Sequence, residues 1–285
     1  MLGKTCVELA RLRGRQIEKQ MKFHQQLKSP TAMISLTNRV AFVTGAGSGI
    51  GSAGARAMAG CGAHVVVTDL DGDLARAVAA EIRADGFSGS ARQLDVKDSL
   101  LLEAAIHETA EEYGRLDILH SHAGIQIEGT LEQVTPTDMD ASWAMNVRAH
   151  FVAARAVVGT MKRQGGGSMI LTASNSGVQY DRGMITYTTT KHAVIAMAKQ
   201  MAADYAAFNI RINALCPGFV DTAFNAGFEA QMGGRAALEQ YIAERIPMGR
   251  WATSSEIANA IVFLASDMST FMTGHALVVD GGECL

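Results

Sequence analysis

The feature that most constrains the fold is a glycine-rich turn directly after a short apolar strand. Residues 39–44 are rich in β-branched and aromatic side chains, which predicts a buried strand. Residues 53–59, beyond the turn, predict a helix of small residues. A strand, a glycine turn and a helix together bring backbone N–H groups and a helix N-terminus close to a pyrophosphate. We therefore expect a dinucleotide site at Gly45, Gly47, Ser48, Gly49, Ile50 and Gly51.

A second predicted strand, residues 64–69, ends in a carboxylate. Asp69 follows Gly51 by 18 residues, close to the interval of about 20 at which an acidic side chain meets the adenosine ribose. It would accept hydrogen bonds from the ribose hydroxyls and repel a 2′-phosphate. Leu70 and Asp71 follow it, with no Arg or Lys. The sequence thus favours NAD over NADP, with a mere turn or helix cap as the alternative role of Asp69.

Three residues near the middle of the chain suggest acid–base chemistry. Tyr187 and Lys191 are four apart, on one face of a predicted helix, and Ser174 stands thirteen residues before Tyr187. A nearby ammonium favours the phenolate, so we expect Lys191 to lower the pKa of Tyr187 toward the range useful for general acid–base catalysis. Taken alone, the pair also fits a chance surface arrangement.

With the glycine turn, these residues resemble the classical short-chain dehydrogenase/reductase family over roughly residues 38–285. The resemblance implies an NAD-dependent oxidoreductase that moves a hydride between nicotinamide and a secondary alcohol or ketone. It also implies a tetrad of Asn146, Ser174, Tyr187 and Lys191. Tyr187 would exchange the substrate proton, Ser174 would stabilise the substrate oxygen, and Lys191 would hold the nicotinamide ribose. Asn146 would hold a water that connects Lys191 to solvent.

The resemblance implies further cofactor contacts beyond the turn and the tetrad. These are Leu70, Asp95, Val96, Ala123, Gly124, Pro217, Gly218, Val220 and Thr222, together with Tyr187 and Lys191. One departure stands out, because Ser121-His122-Ala123-Gly124 occupies the place of the family's Asn-Asn-Ala-Gly. We interpret His122 as a hydrogen-bonded histidine of the sheet rather than a catalytic group.

The order of elements predicts an α/β fold, a single-domain Rossmann-type doubly wound parallel sheet with helices on both faces. The predicted strands cover residues 40–44, 64–69, 91–95, 117–121, 168–172, 210–215 and 276–280. Long helices are predicted over 138–163 and 187–208. Small residues on these helices suit the homotetramer that the resemblance implies, although sheet packing would use them equally well.

Composition narrows the class of protein. In 285 residues the net charge is −3, which gives no reason to expect a nucleic-acid or membrane partner. There is no apolar run near 18 residues, the length of a membrane-spanning helix. Cys6, Cys61, Cys216 and Cys284 show neither paired nor metal-ligand spacing, which favours a reducing cytoplasm and no metal site.

The first 38 residues differ from the rest, because they hold seven basic residues against two acidic ones. Three interpretations remain open for this basic extension. It could reflect an upstream start codon, with Met33 opening the ordinary chain, or a transit peptide, for which Glu8 and Glu18 are unusual. It could also be an arm that docks on a partner or an anionic surface.

The resemblance also implies that residues 219–247 form a substrate lid. Its candidate substrate contacts are Phe219, Phe224, Phe228, Met232, Tyr241 and Met248, faced by Gln179, Tyr180, Arg182 and Met184. These side chains would serve equally well to pack the lid onto the domain. No Lys/Arg cluster marks a phosphorylated or CoA-linked substrate, so we expect an uncharged secondary alcohol or ketone, cyclic or polyol.

Alternatives to this activity are a non-catalytic NAD sensor or scaffold and, among enzymes, a 3-oxoacyl-type reductase. An enoyl reductase would carry its tyrosine and lysine in a different register. An extended-type epimerase would need a longer segment after Pro217.

Overall fold

The computed structural model describes residues 29–285. Most of the predicted basic extension, residues 1–28, lies outside this range, so its role stays a prediction. Its last ten residues are described. They form helix α1, Pro30–Ile34, whose first turn is capped by the Ser29 hydroxyl, and they bring Leu36 into the core, 1% exposed. Leu36 also donates its backbone N–H to the carbonyl of Cys61, which anchors the entry to the domain.

The described residues form a seven-stranded sheet in which every pairing is parallel, so the predicted fold class is confirmed. The strand order is β3-β2-β1-β4-β5-β6-β7. The strands are β1 Val40–Thr44, β2 His64–Asp69, β3 Ser88–Gln93, β4 Ile118–Ser121, β5 Gly167–Thr172, β6 Ile210–Pro217 and β7 Ala276–Val279.

The third strand was predicted over residues 91–95, which is wrong by several residues. It runs from Ser88 to Gln93, and its first residues are polar. An edge strand is more exposed to solvent than a central strand, so it lacks the apolar run by which buried strands are recognised. Asp95 and Val96 therefore follow the strand instead of ending it.

Helices cover both faces of the sheet. They are α2 Gly49–Gly60, α3 Gly72–Ala84, α4 Ser99–Glu112, α5 Pro136–Trp143, α6 Ala149–Gln164, α7 Ile185–Tyr205, α8 Ala226–Gln231, α9 Arg235–Arg245 and α10 Ser254–Ala265. The single helix predicted over 138–163 is interrupted by a π-helical turn, Ala144–Arg148. The helix predicted over 187–208 begins at Ile185 and ends in a 3₁₀ turn, Ala206–Phe208.

Two hydrophobic clusters hold these layers together. One face of the sheet packs on α4, α6 and α7 around residues such as Phe42 and Leu119, and the other packs on α2, α3 and α10 around Val43 and Ile261. Both faces of the central strands are therefore buried, as expected for a parallel sheet. None of the helices in residues 29–285 combines the length and the hydrophobicity of a transmembrane span.

Parallel pairing places the carboxyl ends of the strands along one edge of the sheet. Thr44, Asp69, Ser121, Thr172 and Pro217 are the last residues of their strands. The sheet order reverses direction between β1 and β4, and ligands of open α/β sheets bind in the crevice outside such a point.

Candidate active site

A large cavity, about 1530 Å³ in volume, runs along this carboxyl edge. It collects most of the residues predicted from sequence, although they come from distant parts of the chain. The predicted residues that line it are Gly45, Ser48, Gly49, Ile50, Asp69, Leu70, Asp95, Val96, Ala123, Gly124, Ser174, Tyr187, Lys191, Pro217, Gly218, Val220 and Thr222. Gly47, Gly51 and Asn146 are not on its wall, but they support residues that are.

The glycine turn forms a cradle that side chains would fill. Gly45 has φ +64°, and a Cβ there would lie 2.9 Å from the Cα of Ala123. Gly49 has φ +54°, a conformation that favours glycine. A Cβ on Gly51 would collide with the Gly45 carbonyl, so the start of α2 can pack closely beneath the turn. The open backbone at a helix N-terminus fits the pyrophosphate of a dinucleotide.

Asp69 lies at the end of β2, beside this cradle. Its Oδ2 accepts a hydrogen bond from the Gly47 N–H at 2.8 Å, and its Oδ1 accepts one from the Asp71 N–H at 3.0 Å. Both carboxylate oxygens are thereby oriented while the residue remains on the cavity wall. Asp71, not Asp69, caps helix α3 through its side chain.

Ser174, Tyr187 and Lys191 meet at one wall of the same cavity. Ser174 follows β5, and the other two lie one turn apart on α7. Tyr187 shares a hydrogen bond with Ser174. The Lys191 ammonium donates to the carbonyl of Thr172 at 3.0 Å and lies 5.4 Å from the centre of the Tyr187 ring.

The pKa of Tyr187 is shifted in the opposite direction from the one expected from the neighbouring Lys191. Burial raises the pKa of Tyr187 to about 12, opposed by its hydrogen bond with Ser174, and burial lowers the pKa of Lys191 to about 8. Removing both groups from water disfavours the charged form of each. The ammonium is directed at a backbone carbonyl, and desolvation decides the direction of the Tyr187 pKa.

Asn146 lies behind the cavity, fully buried in the π-helical turn. Its side chain accepts from the Ile125 N–H at 2.8 Å and donates to the Ile125 carbonyl at 2.9 Å. It also donates to the Thr190 hydroxyl. The π-turn thus directs the Asn146 side chain to the loop that follows Gly124. Such turns recur at functional sites.

His122 forms hydrogen bonds within the sheet, consistent with the interpretation given above. Its Nδ1 lies 3.2 Å from the Thr172 hydroxyl, and its backbone N–H donates to Thr44. The buried His120 contacts the same hydroxyl through Nε2 at 3.0 Å. Burial and the nearby Lys191 ammonium lower the pKa of His122 to about 4, so the imidazole is neutral near pH 7.

Comparison with known proteins agrees with this geometry. Residues 45–283 match a family model described as Enoyl-(Acyl carrier protein) reductase. D-threitol dehydrogenase of Mycolicibacterium smegmatis is 36% identical over 247 residues, which covers 87% of this chain and 93% of that protein. The chain belongs to the classical short-chain dehydrogenase/reductase family.

Two further members of the family show how varied the relatives are. Trans-4-hydroxycyclohexanecarboxylate dehydrogenase of Sinomonas cyclohexanicum is 35% identical over 254 residues, covering 87% of this chain and 93% of that one. A gluconate 5-dehydrogenase of Burkholderia cenocepacia, solved with NADP and tartrate, superposes with a TM-score of 0.85 at 34% identity. That match covers 90% of this short-chain dehydrogenase/reductase and 99% of the solved chain.

The predicted lid of this family member consists of a 3₁₀ turn followed by α8 and α9. Five of its six candidate side chains line the cavity: Phe219, Phe224, Phe228, Met232 and Tyr241. The placement of Met248 there was wrong, because this residue is 61% exposed and packs beside Gly281. Gln179, Tyr180, Arg182 and Met184 line the cavity on the opposite side, as proposed from sequence.

Sequence reasoning missed several polar residues of the wall. They are Asn175, Asp181, Arg245 and Glu283. The first two lie within the stretch between Ser174 and Tyr187, where their proximity was a usable signal. Glu283 lies in the C-terminal segment after β7, 92 residues beyond Lys191, and no local sequence pattern connects it with the cavity.

Proposed function

We propose that this protein is an NAD-dependent oxidoreductase that interconverts a secondary alcohol and a ketone, with Tyr187 as the general acid/base. The observation that supports the proposal is that Ser174, Tyr187 and Lys191 share one cavity wall with the glycine cradle. A bound nicotinamide would supply or accept the hydride at this wall, and the residues of the chain would handle the proton and the charge on oxygen.

Tyr187 is suited to move the proton of the substrate oxygen. With a pKa of about 12 it is a phenol near neutral pH, so it can donate its proton as a ketone is reduced. Ser174, hydrogen-bonded to the same phenol, would stabilise the charge that develops on the oxygen. Lys191, held at the Thr172 carbonyl, would contact the nicotinamide ribose. Asn146 would support a water that links Lys191 to solvent.

We propose NAD as the preferred cofactor because of Asp69. Its carboxylate is fixed at the cavity wall by two backbone N–H groups, where it would bind ribose hydroxyls and repel a 2′-phosphate. The related gluconate 5-dehydrogenase holds NADP, so the preference needs its own test. We expect Asp69→Ala to lower the ratio of kcat/KM for NAD over NADP by about 10-fold or more.

For the substrate we propose an uncharged cyclic alcohol or polyol. The aromatic lid side chains offer an apolar wall, and Ser176, Gln179 and Asp181 on the other side offer hydrogen-bonding groups. One relative is named for an uncharged polyol, D-threitol, and another for a cyclic alcohol that also carries a carboxylate, trans-4-hydroxycyclohexanecarboxylate.

We also propose a homotetramer in a reducing cytoplasm. Large apolar side chains are exposed on the helices, among them Leu100, Leu101, Trp143 and Phe151. Exposed apolar groups on neighbouring helices are typical of a subunit interface. Among the described residues, Cys61, Cys216 and Cys284 are free thiols. Sedimentation equilibrium at micromolar concentration tests the assembly, and a monomer would reject it.

The deciding experiment follows NADH with a panel of cyclic alcohols, polyols, steroids and hydroxyacyl esters, run as oxidation at pH 9–10 and as ketone reduction at pH 7. NADP and a Tyr187→Phe variant accompany each reaction. We expect an NAD-selective activity that falls by about 10²–10⁴-fold in Tyr187→Phe, while the Kd for NAD changes little. Activity that persists in this variant would contradict the mechanism, and NAD binding without any turnover would favour the sensor or scaffold.

A further inference from the structure

The catalytic serine is linked to the C-terminal segment by a chain of hydrogen bonds. The Ser174 hydroxyl donates to the Asn175 Oδ1 at 3.2 Å. The Asn175 Nδ2 in turn donates to the Glu283 Oε2 at 2.7 Å. Tyr187 joins at the other end through its hydrogen bond with Ser174. Four side chains therefore connect the proposed acid/base to a carboxylate that stands two residues before the final residue, Leu285.

The direction of this chain follows from the carboxylate. An ionised carboxylate only accepts hydrogen bonds, so it must face the amino end of the Asn175 amide. The carbonyl end then faces Ser174 and takes its single hydroxyl proton. In this arrangement the Ser174 oxygen accepts from the Ser176 N–H at 3.2 Å. Its proton is thus directed away from the place where a substrate oxygen would meet Tyr187.

Glu283 is set among groups that make its charge sensitive to pH near neutrality. Burial and the neighbouring carboxylates of Asp181 and Asp280 raise its pKa to about 7, opposed by hydrogen bonds from Asn175 and Gln179. The other ionisable groups around it are Tyr241, Arg245 and Cys284. Protonation of Glu283 gives it a donor, so that the Asn175 amide can turn and present its amino end to Ser174.

We propose that Glu283 is a positioning residue that acts through Asn175 to set which way the Ser174 hydroxyl donates. Ionised Glu283 holds the Ser174 proton on Asn175. Neutral Glu283 allows Asn175 to donate to Ser174, which releases the Ser174 proton for the substrate oxygen. The catalytic part of this inference rests on the proposed function, whereas the coupling between Glu283 and Asn175 does not.

The activity test compares pH profiles of kcat for ketone reduction between pH 5.5 and 9. In the unmodified protein we expect kcat to fall about three-fold or more as pH rises through about 7, with less change in KM. Glu283→Gln should abolish this step, because its amide can turn and supply a donor at any pH. Asp181→Asn is the matched control: it removes a carboxylate from the same cavity wall without touching Asn175, and should shift the step to lower pH.

A second measurement needs no turnover. In the full-length protein, the side-chain amide signals of Asn175 in a ¹⁵N–¹H spectrum should titrate with a midpoint near pH 7, and this titration should be absent in Glu283→Gln. Both predicted steps together support the inference. A kcat step that survives in Glu283→Gln, or Asn175 signals that do not titrate, would overturn it. If no substrate is turned over, the proposed function fails and the amide titration still decides the coupling.

Discussion

Replacement of Asp117 by alanine offers a test of how the sheet is held in register beneath the site. Asp117 directly precedes β4 and is only 3% exposed. Its Oδ2 accepts from the Val40 N–H at 2.9 Å, at the start of β1. Arg115 makes two further bonds to it, Nε to Oδ2 at 2.7 Å and Nη2 to Oδ1 at 2.6 Å. The carboxylate thus joins the start of β1 to the segment that leads into β4.

The expected loss of stability depends on whether each partner of Asp117 can be rehydrated after the substitution. Alanine leaves the buried Val40 N–H without an acceptor, at a cost of about 1–3 kcal/mol. Arg115 and Arg39, whose Nη1 lies 3.9 Å from the Asp117 Oδ1, are 43% and 39% exposed and can be rehydrated, so each lost ion pair adds only about 0.2–1 kcal/mol. With the small void left by the side chain, we expect Asp117→Ala to lower the free energy of unfolding by about 2–4 kcal/mol.

The assay is urea unfolding followed by tryptophan fluorescence at fixed protein concentration. Arg115→Gln is the control, and it should cost less than about 1 kcal/mol because the Val40 N–H keeps its partner. The reasoning would be refuted if Asp117→Ala cost less than 1 kcal/mol, or if Arg115→Gln were equally destabilising.

Two other predictions concern the cradle and the buried histidines. Gly51→Ala would push a methyl group into the Gly45 carbonyl, so we expect the Kd for NAD, measured by calorimetry, to rise at least 10-fold. The control is Gly60→Ala in the same helix, whose added methyl group would meet nothing closer than 4.0 Å and should leave the Kd for NAD unchanged. Burial lowers the pKa of His150 well below 6.5, so protons bind the unfolded chain first and stability is lost as pH falls below about 6.5. Between pH 7 and 5, the free energy of unfolding measured with urea should fall less for His150→Asn than for the unmodified protein, by about 1 kcal/mol per pH unit. Asparagine can keep a hydrogen bond to Ser121. Identical slopes in the two proteins would contradict this prediction.

Some errors of the sequence-based prediction have local physical causes. The third strand was placed too late because Ser88, Gly89 and Ser90 form an edge strand without an apolar run. The long helix was predicted to be continuous because nothing in the sequence of residues 144–148 distinguishes a π-turn from an α-turn. Met248 was assigned to the lid wall because it is apolar and follows the lid that the resemblance implies, but the chain carries it away toward Gly281.

The pKa of Tyr187 shows a different kind of limit. The spacing to Lys191 was read correctly as one helical turn, but the effect of the pair depends on where the ammonium points and how much water remains. Lys191 is 2% exposed and bonds to Thr172, and Tyr187 is 6% exposed. Desolvation therefore outweighs the neighbouring charge, and no sequence pattern reports it.

The fold class, the glycine turn after β1, the position of Asp69 at the end of β2 and the order of the candidate catalytic residues were all predictable from the sequence. These depend on local rules: β-branched runs form buried strands, glycine adopts φ near +60°, and residues four apart share a helix face. Three features became visible once the chain was folded: Glu283 bonds to Asn175, Tyr187 is desolvated, and Asp117 joins the start of β1 to the segment before β4. Such contacts join residues far apart in the chain, and their strength depends on burial, which exists only once the layers have packed.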